Sequence, residues 1–174
     1  MTSDAPALAV RVRTARPADA DGVAALVAES GGGTAAEHRA GFLGELEAAL
    51  VDNLVVVAEA RGRIVGFGRA RRFEHPPEPP PGLAPGGWYL LGVRVAEDWR
   101  RRGVGAALTR ERLAWIARRA DEAFYFTAAS NHASAALHAR FGFVEVSRDF
   151  IYPRAENLEG GGVLYRLELR GDAP

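Results

Sequence analysis

Apolar and polar positions change period several times along the chain, and each change predicts an element. Over residues 8–14 apolar side chains alternate with Arg11 and Arg13, the period of two of a half-buried strand. Past Pro17, Val23, Leu26 and Val27 form a stripe at helical spacing, predicting a helix over residues 18–29. Pro17 near its start and Asp19 and Asp21 in its first turn suit a helix N-terminus, and Gly31-Gly32-Gly33 ends it. Phe42, Leu43, Leu46 and Leu50 share one face of a second helix over residues 37–50. Strands follow over 54–60 and 64–73, joined at Arg61-Gly62-Arg63 as a hairpin. Residues 74–87 are rich in proline and predict a loop, because proline cannot sustain a ladder. Beyond it come a buried strand from Trp88 to Val95 and a long amphipathic helix carrying Leu108, Leu113, Trp115 and Ile116. A strand over 122–129, a short helix over 131–141 closed by Gly142, and strands over 143–151 and 162–169 complete the pattern. The order is β-α-α-β-β-β-α-β-α-β-β.

Composition narrows what this pattern can serve. A chain of 174 residues, 48% hydrophobic and 25% charged, fits one globular, soluble domain spanning residues 1–174 with a real core. Its 22 basic and 22 acidic residues cancel, so no overall field draws it to nucleic acid or a membrane surface. Every basic residue is arginine. The absence of cysteine excludes a thiol nucleophile and a disulfide. Four scattered histidines show no ligand spacing, so no metal is expected. Residues 1–9 lack the basic start and apolar centre of a signal peptide, and no apolar run is long enough to span a bilayer. A cytoplasmic monomer or homodimer is the expectation.

The chemistry concentrates at Arg100-Arg101-Arg102-Gly103-Val104-Gly105-Ala106-Ala107, between the buried strand and the long helix. A strand, a glycine-punctuated turn and a helix start make a phosphate site. Glycines allow close approach, and free N–H groups at the helix N-terminus point at the anion. The order Arg-x-x-Gly-x-Gly fits neither the Walker loop nor the dinucleotide fingerprint. It resembles the pyrophosphate-binding signature of the Gcn5-related N-acetyltransferase (GNAT) family. A second segment, Asn131-His132-Ala133-Ser134-Ala135-Ala136-Leu137-His138-Ala139-Arg140-Phe141-Gly142-Phe143, is similar to that family's Asn-x-x-Ala-x-x-Leu-Tyr-x-x-x-Gly-Phe.

The resemblance covers most of the chain and implies an α/β (α+β) acyl-CoA N-acyltransferase fold. Such a fold has a mixed, twisted sheet of about seven strands whose fourth and fifth splay apart, with about four helices. It implies acetyl-CoA as co-substrate, with pyrophosphate on the backbone of Arg101, Arg102, Gly103, Val104, Gly105 and Ala106, and Arg100 bracing the loop. It implies that the main chain of Val93 and Val95 pairs with the pantetheine arm, a strand N–H there holding the oxyanion. Asn131 and His138 are seven apart, so on one helix they share a face about 10 Å long.

One departure matters: His138 stands where the family carries a tyrosine that protonates departing CoA. Imidazole can supply that proton, can instead accept one from the amine, or can simply pack; the acid is the preferred reading. No acidic residue lies in the strand from Trp88 to Val95, where many relatives keep a general base. Glu74, His75, Asp149 and Tyr152 flank the expected acceptor entrance. The resemblance thus implies direct transfer of acetyl to a primary amine of a small molecule, an antibiotic such as an aminoglycoside being the first candidate by analogy. A protein or peptide acceptor, or a non-catalytic CoA-binding regulatory module, are the alternatives.

Overall fold

A computed structural model describes residues 10–29, 33–47, 52–153, 155, 158 and 161–169. They form β1 (Arg11–Thr14), α1 (Ala20–Ala28), α2 (Ala35–Glu47), β2 (Asn53–Ala60), β3 (Arg63–Phe73), β4 (Gly87–Val95), α3 (Val104–Ala117), β5 (Glu122–Ala128), α4 (His132–Ala139), β6 (Val144–Ser147) and β7 (Gly162–Glu168). One sheet runs in the order β1-β2-β3-β4-β5-β7-β6. Every neighbouring pair is antiparallel except β4 and β5. The mixed seven-strand, four-helix architecture is the one expected.

Local chemistry sets the boundaries that differ. Asp19 stands before α1 as its N-cap, at the end of a 3-10 turn. Its carboxylate accepts the Arg16 N–H at 2.7 Å and both terminal nitrogens of Arg13 at 2.7 and 2.8 Å, which holds residues 17–19 in a 3-10 turn. The Arg13 guanidinium holds the Asp19 carboxyl below its ordinary range. The hairpin at Arg61-Gly62 has positive φ at both residues (52° and 73°), the mirror-image turn whose twist matches the flanking strands. The last predicted helix is shorter, because Asn131 is its N-cap: its Oδ1 accepts the Ser134 N–H at 3.1 Å. Asn131 therefore lies before the helix and not on a shared helical face with His138. The strand expected over 143–151 contracts to β6, and Ile151 instead makes an isolated bridge with Leu83. The expectations for Leu8, Ala9, Gly31, Gly32 and Leu50 fall outside the described residues.

The sheet is covered on both faces over β2 and β3, which explains the near-continuous apolar run Leu54–Ala58, buried throughout. On one face α1 and α2 pack over Val55, Val57 and Phe67. On the other lies α3, brought close by strand glycines: a Cβ on Gly66 would meet Leu108 and Val104 at 3.1 and 3.2 Å. Trp88 of β4 meets Trp115 of α3 edge to face, ring centroids 4.9 Å apart. Among the described residues no helix is long and apolar enough to cross a membrane.

Candidate active site

Two irregularities in β4 create the site. Gly68 pairs with Val93 and Arg69 with Leu91, so Gly92 is an extra, bulged residue with φ +47°. On its other edge β4 pairs with β5 only at Tyr89–Phe124 and Leu90–Tyr125. Beyond Leu90 the two parallel strands separate, and the main chain of β4 has no ladder partner on that side. This is the splay expected between the fourth and fifth strands. A bulge beside a fork leaves backbone groups of β4 free to bind.

At the C-terminal end of β4 the chain forms the glycine loop. Arg101 and Gly103 both have positive φ (58° and 82°), which turns the backbone sharply before α3 begins at Val104. The first bond of the turn runs from the Ala107 N–H to the Gly103 carbonyl at 2.9 Å. The N–H groups of Val104, Gly105 and Ala106 precede that ladder and point out of the helix start, as an anion site requires. Arg100 folds back so that its Nε donates to the Val95 carbonyl at 3.3 Å, tying the loop to the strand end. Arg101 and Arg102 are exposed, the latter with its guanidinium 5.7 Å from the Trp99 ring.

A Cβ on Gly105 would lie 3.3 Å from Leu137 Cδ2, 3.9 Å from Val93 and 4.0 Å from Val95. Gly105 therefore lies where α3, α4 and the Val93–Val95 end of β4 converge, and its missing side chain lets the three approach.

His138 lies under α4 at that fork. Its ring stacks on Tyr125, centroids 3.9 Å apart, with Phe143 edge-on at 5.6 Å. Nδ1 donates to the Ser134 carbonyl at 2.9 Å, which leaves Nε2 as a bare lone pair, buried and without a hydrogen-bond partner. Burial, more than the opposing Ser134 bond and with help from the Arg112 charge, pushes the imidazole down to about 4. At neutral pH His138 is neutral and presents an acceptor, so it holds no proton for a thiolate until it has taken one up.

That state has a stability signature. Between pH 6.5 and 4 the unfolded His binds a proton that the native one refuses, so stability falls as pH falls through this window. At 1.36 kcal/mol per unit the loss is about 3 kcal/mol, with no slope from this group above pH 6.5. Urea denaturation at pH 7 and pH 4 of wild type and His138→Gln measures it. Equal losses in both proteins would mean that His138 is not buried neutral.

Arg112 of α3, beside His138, carries a role the sequence hides. It is fully buried, with no carboxylate partner among the described residues. It donates to the Leu108 carbonyl at 3.1 Å, the Arg69 carbonyl at 3.0 Å and Thr109 Oγ1 at 3.0 Å. Burial pushes the guanidinium down to about 9, so it is still charged at neutral pH. It lies flat on Gly68, where a Cβ would be 3.1 Å from its Cζ. Its bond to Arg69 pins the strand at the bulge.

The expected acceptor residues divide. Tyr152 packs into an aromatic cluster with Phe73, Tyr89 and Phe126 at centroid distances of 4.9, 5.0 and 4.5 Å. Asp149 sits on an exposed turn, its N–H on Ser147 Oγ at 3.1 Å. Glu74 pairs with Arg72 at 3.4 Å, and His75 Nε2 meets the Ala84 carbonyl at 2.7 Å. These two line a shallow hollow at the Gly87 end of β4, the end away from the glycine loop. The proline-rich segment is stitched to the Tyr152 segment by Ala84 N–H to Ile151 O (2.8 Å) and Ile151 N–H to Gly82 O (2.7 Å).

Comparison with known proteins bears on this arrangement. The family model described as "Acetyltransferase (GNAT) family" matches residues 30–143, well over half of the chain. The chain belongs to this family. A curated relative, "Acetyl transferase GW6a" of Oryza sativa subsp. japonica, is 46% identical over 61 residues. Those residues are 34% of this chain and only 15% of that relative. Among solved structures, an N-acetyltransferase from Staphylococcus aureus Mu50 is similar at TM-score 0.69 and 20% identity, covering 93% of this chain and 99% of that one. The ribosomal-protein-S18-alanine N-acetyltransferase of Escherichia coli matches at TM-score 0.66 and 16% identity, over 95% and 97%. The yncA protein of Salmonella typhimurium, solved with its cofactor acetyl-CoA, matches at TM-score 0.69 and 16% identity, over 95% and 97%. At these identities the structural likeness speaks for the fold of this GNAT chain.

Proposed function

We propose that this GNAT protein moves acetyl from acetyl-CoA to the primary amine of a small molecule, by direct transfer in a ternary complex. The observation that carries the reading is the fork between β4 and β5 with the exposed bulge at Gly92. The glycine loop and α4 meet the Val93–Val95 side of β4, while Gly92 and Arg94 are exposed. Two substrates can meet there from opposite sides of the sheet, and no cysteine is present to carry an acyl-enzyme.

Acetyl-CoA supplies the activated acetyl thioester. The N–H groups of residues 101–106 hold its pyrophosphate, with Arg101 and Arg102 within reach of a phosphate. The unpaired main chain of β4, Val93 and Val95 included, holds the arm and offers a donor to the oxyanion. His138 is the proton carrier: neutral, with its Nε2 lone pair free, it accepts a proton released by the amine and returns it to the leaving sulfur. This replaces the standing acid that the family's tyrosine suggests. Asn131 supports the carrier by capping α4, since its partner Ser134 also accepts from His138 Nδ1.

The test is turnover. Purified protein with acetyl-CoA and a panel of primary amines should release free thiol in step with acetylated amine. His138→Ala should lower kcat by roughly 10²-fold while acetyl-CoA still binds. No thiol release with any amine would support a CoA-binding module instead. An Ala variant that turns over like wild type from pH 6 to 9 would make His138 structural.

A further inference from the structure

On the open face of the fork, register places an unusual set of side chains together. Partners across an antiparallel ladder share a face, so Phe67, Arg69, Arg71 and Phe73 of β3 stand with Arg94, Leu91 and Tyr89 of β4. The helices α1 and α2 cover the Phe67 end, and Tyr152 covers the Phe73 and Tyr89 end. Arg69, Arg71, Leu91 and Arg94 remain between, around the exposed Gly92. The Arg69 guanidinium approaches the bulge, 3.4 Å from where a Gly92 Cβ would stand. It is the neutralised member of the set, its Nε bonded to Glu45 of α2 at 2.6 Å.

Arg71 is half-buried, and neither it nor exposed Arg94 has a carboxylate partner among the described residues. Arg71 is close enough to the Tyr152 phenol for its charge to act on it. Its register partner on β2 is Asn53, whose buried amide has neither Nδ2 nor Oδ1 hydrogen-bonded among the described residues. Buried polar groups are almost always satisfied, so an unspent amide beside an unpaired guanidinium marks a place where hydrogen-bond capacity is held in reserve. The window is thus rich in donors and net positive in a chain whose overall charge is zero.

We propose that the acceptor is an amine that also carries a carboxylate, held by Arg71 while the amine reaches the Gly92 bulge, with Arg94 on the far side of the bulge adding to the positive field. This rests on the acetyltransferase reading above and names its substrate class. Tyr89, opposite Arg71, is three residues from Gly92, about 10 Å along the strand, so amine and acid lie within that span of each other. A guanidinium fork meets a carboxylate with two parallel bonds, which gives orientation as well as attraction. Polycationic acceptors such as aminoglycosides meet the wrong sign of charge here.

The experiment measures kcat/KM for α-amino acids and short ω-amino acids, each beside its own carboxamide, with an aminoglycoside as the polycationic comparison. Wild type should prefer acid over carboxamide by at least about tenfold, with the difference in KM, and the preference should shrink in high salt. Arg71→Gln should collapse that ratio toward one, leaving the KM for acetyl-CoA unchanged. Arg94→Gln, at an exposed position that the fold does not need, should shrink it in the same direction. Equal turnover of acids and carboxamides, better turnover of the aminoglycoside, or a ratio untouched by both variants would overturn the acidic-acceptor proposal alone. Absence of thiol release with every amine would overturn both it and the reading beneath it.

Discussion

Acetyl-CoA should stop raising the melting temperature once Gly105 becomes glutamate. In wild type, a ligand at 100 times its Kd adds about 2.7 kcal/mol to stability, because it binds only the native state. The Gly105 Cβ position faces Leu137, Val93 and Val95, so a glutamate there is driven between β4 and α4 rather than into the phosphate loop itself. It fills the path of the pantetheine arm and buries a carboxylate against three apolar side chains. Affinity should fall by 10²-fold or more. Gly105→Ala is the control: a methyl group meets the movable end of Leu137 at 3.3 Å and should cost little. Thermal shift and calorimetry with acetyl-CoA read both. A folded glutamate variant that acetyl-CoA stabilises as it does wild type would remove the proposed path of the arm along β4.

The second large effect concerns stability. Arg112→Ala removes a fully buried side chain and leaves the Arg69 carbonyl and Thr109 hydroxyl without their partner. Cavity and lost hydrogen bonds together should cost about 3–5 kcal/mol in urea denaturation. Arg112→Met should cost less. It fills most of the volume and removes the penalty of an unneutralised buried cation, while still orphaning the Arg69 carbonyl. A cost below about 1 kcal/mol for the alanine variant would show that the bulge does not depend on this pin. Both variants should also shift the pH profile of turnover through His138, since the Arg112 charge helps to keep that imidazole neutral.

What could be read from the chain beforehand follows from the range of each interaction. The succession of strands and helices along the chain and the glycine loop were legible because period-two and helical stripes, and a turn of Arg100 to Gly105, are local patterns. Arg112 was not. In Arg110-Glu111-Arg112 it resembles the solvated side of a helix, and only the missing side chain of Gly68, 44 positions away, makes room for it. Asn131 carried the right residue type but the wrong placement, because an N-cap and a first helical residue have the same spacing to His138. The Gly92 bulge is invisible without its partner strand. The contraction of β6 reflects a competition between sheet pairing and the contact of Ile151 with Leu83. Arg69 and Arg71, two apart between Phe67 and Phe73, did offer a signal. Alternation of arginine with small residues on a central strand marks a face left partly open to water.

The bonds that join Ala84 and Gly82 to Ile151 bear on how such a protein diversifies. They couple two surface segments separated by more than 60 residues, one ahead of the sheet's fork and one behind it. Neither belongs to the glycine loop or to the Val93–Val95 end of β4. Insertions and deletions at the mouth can therefore accumulate without retuning the half of the molecule that handles CoA, provided both segments change together. Descendants of this chain that accept new amines should show paired length changes there, and a nearly constant stretch from Gly92 to Ala107.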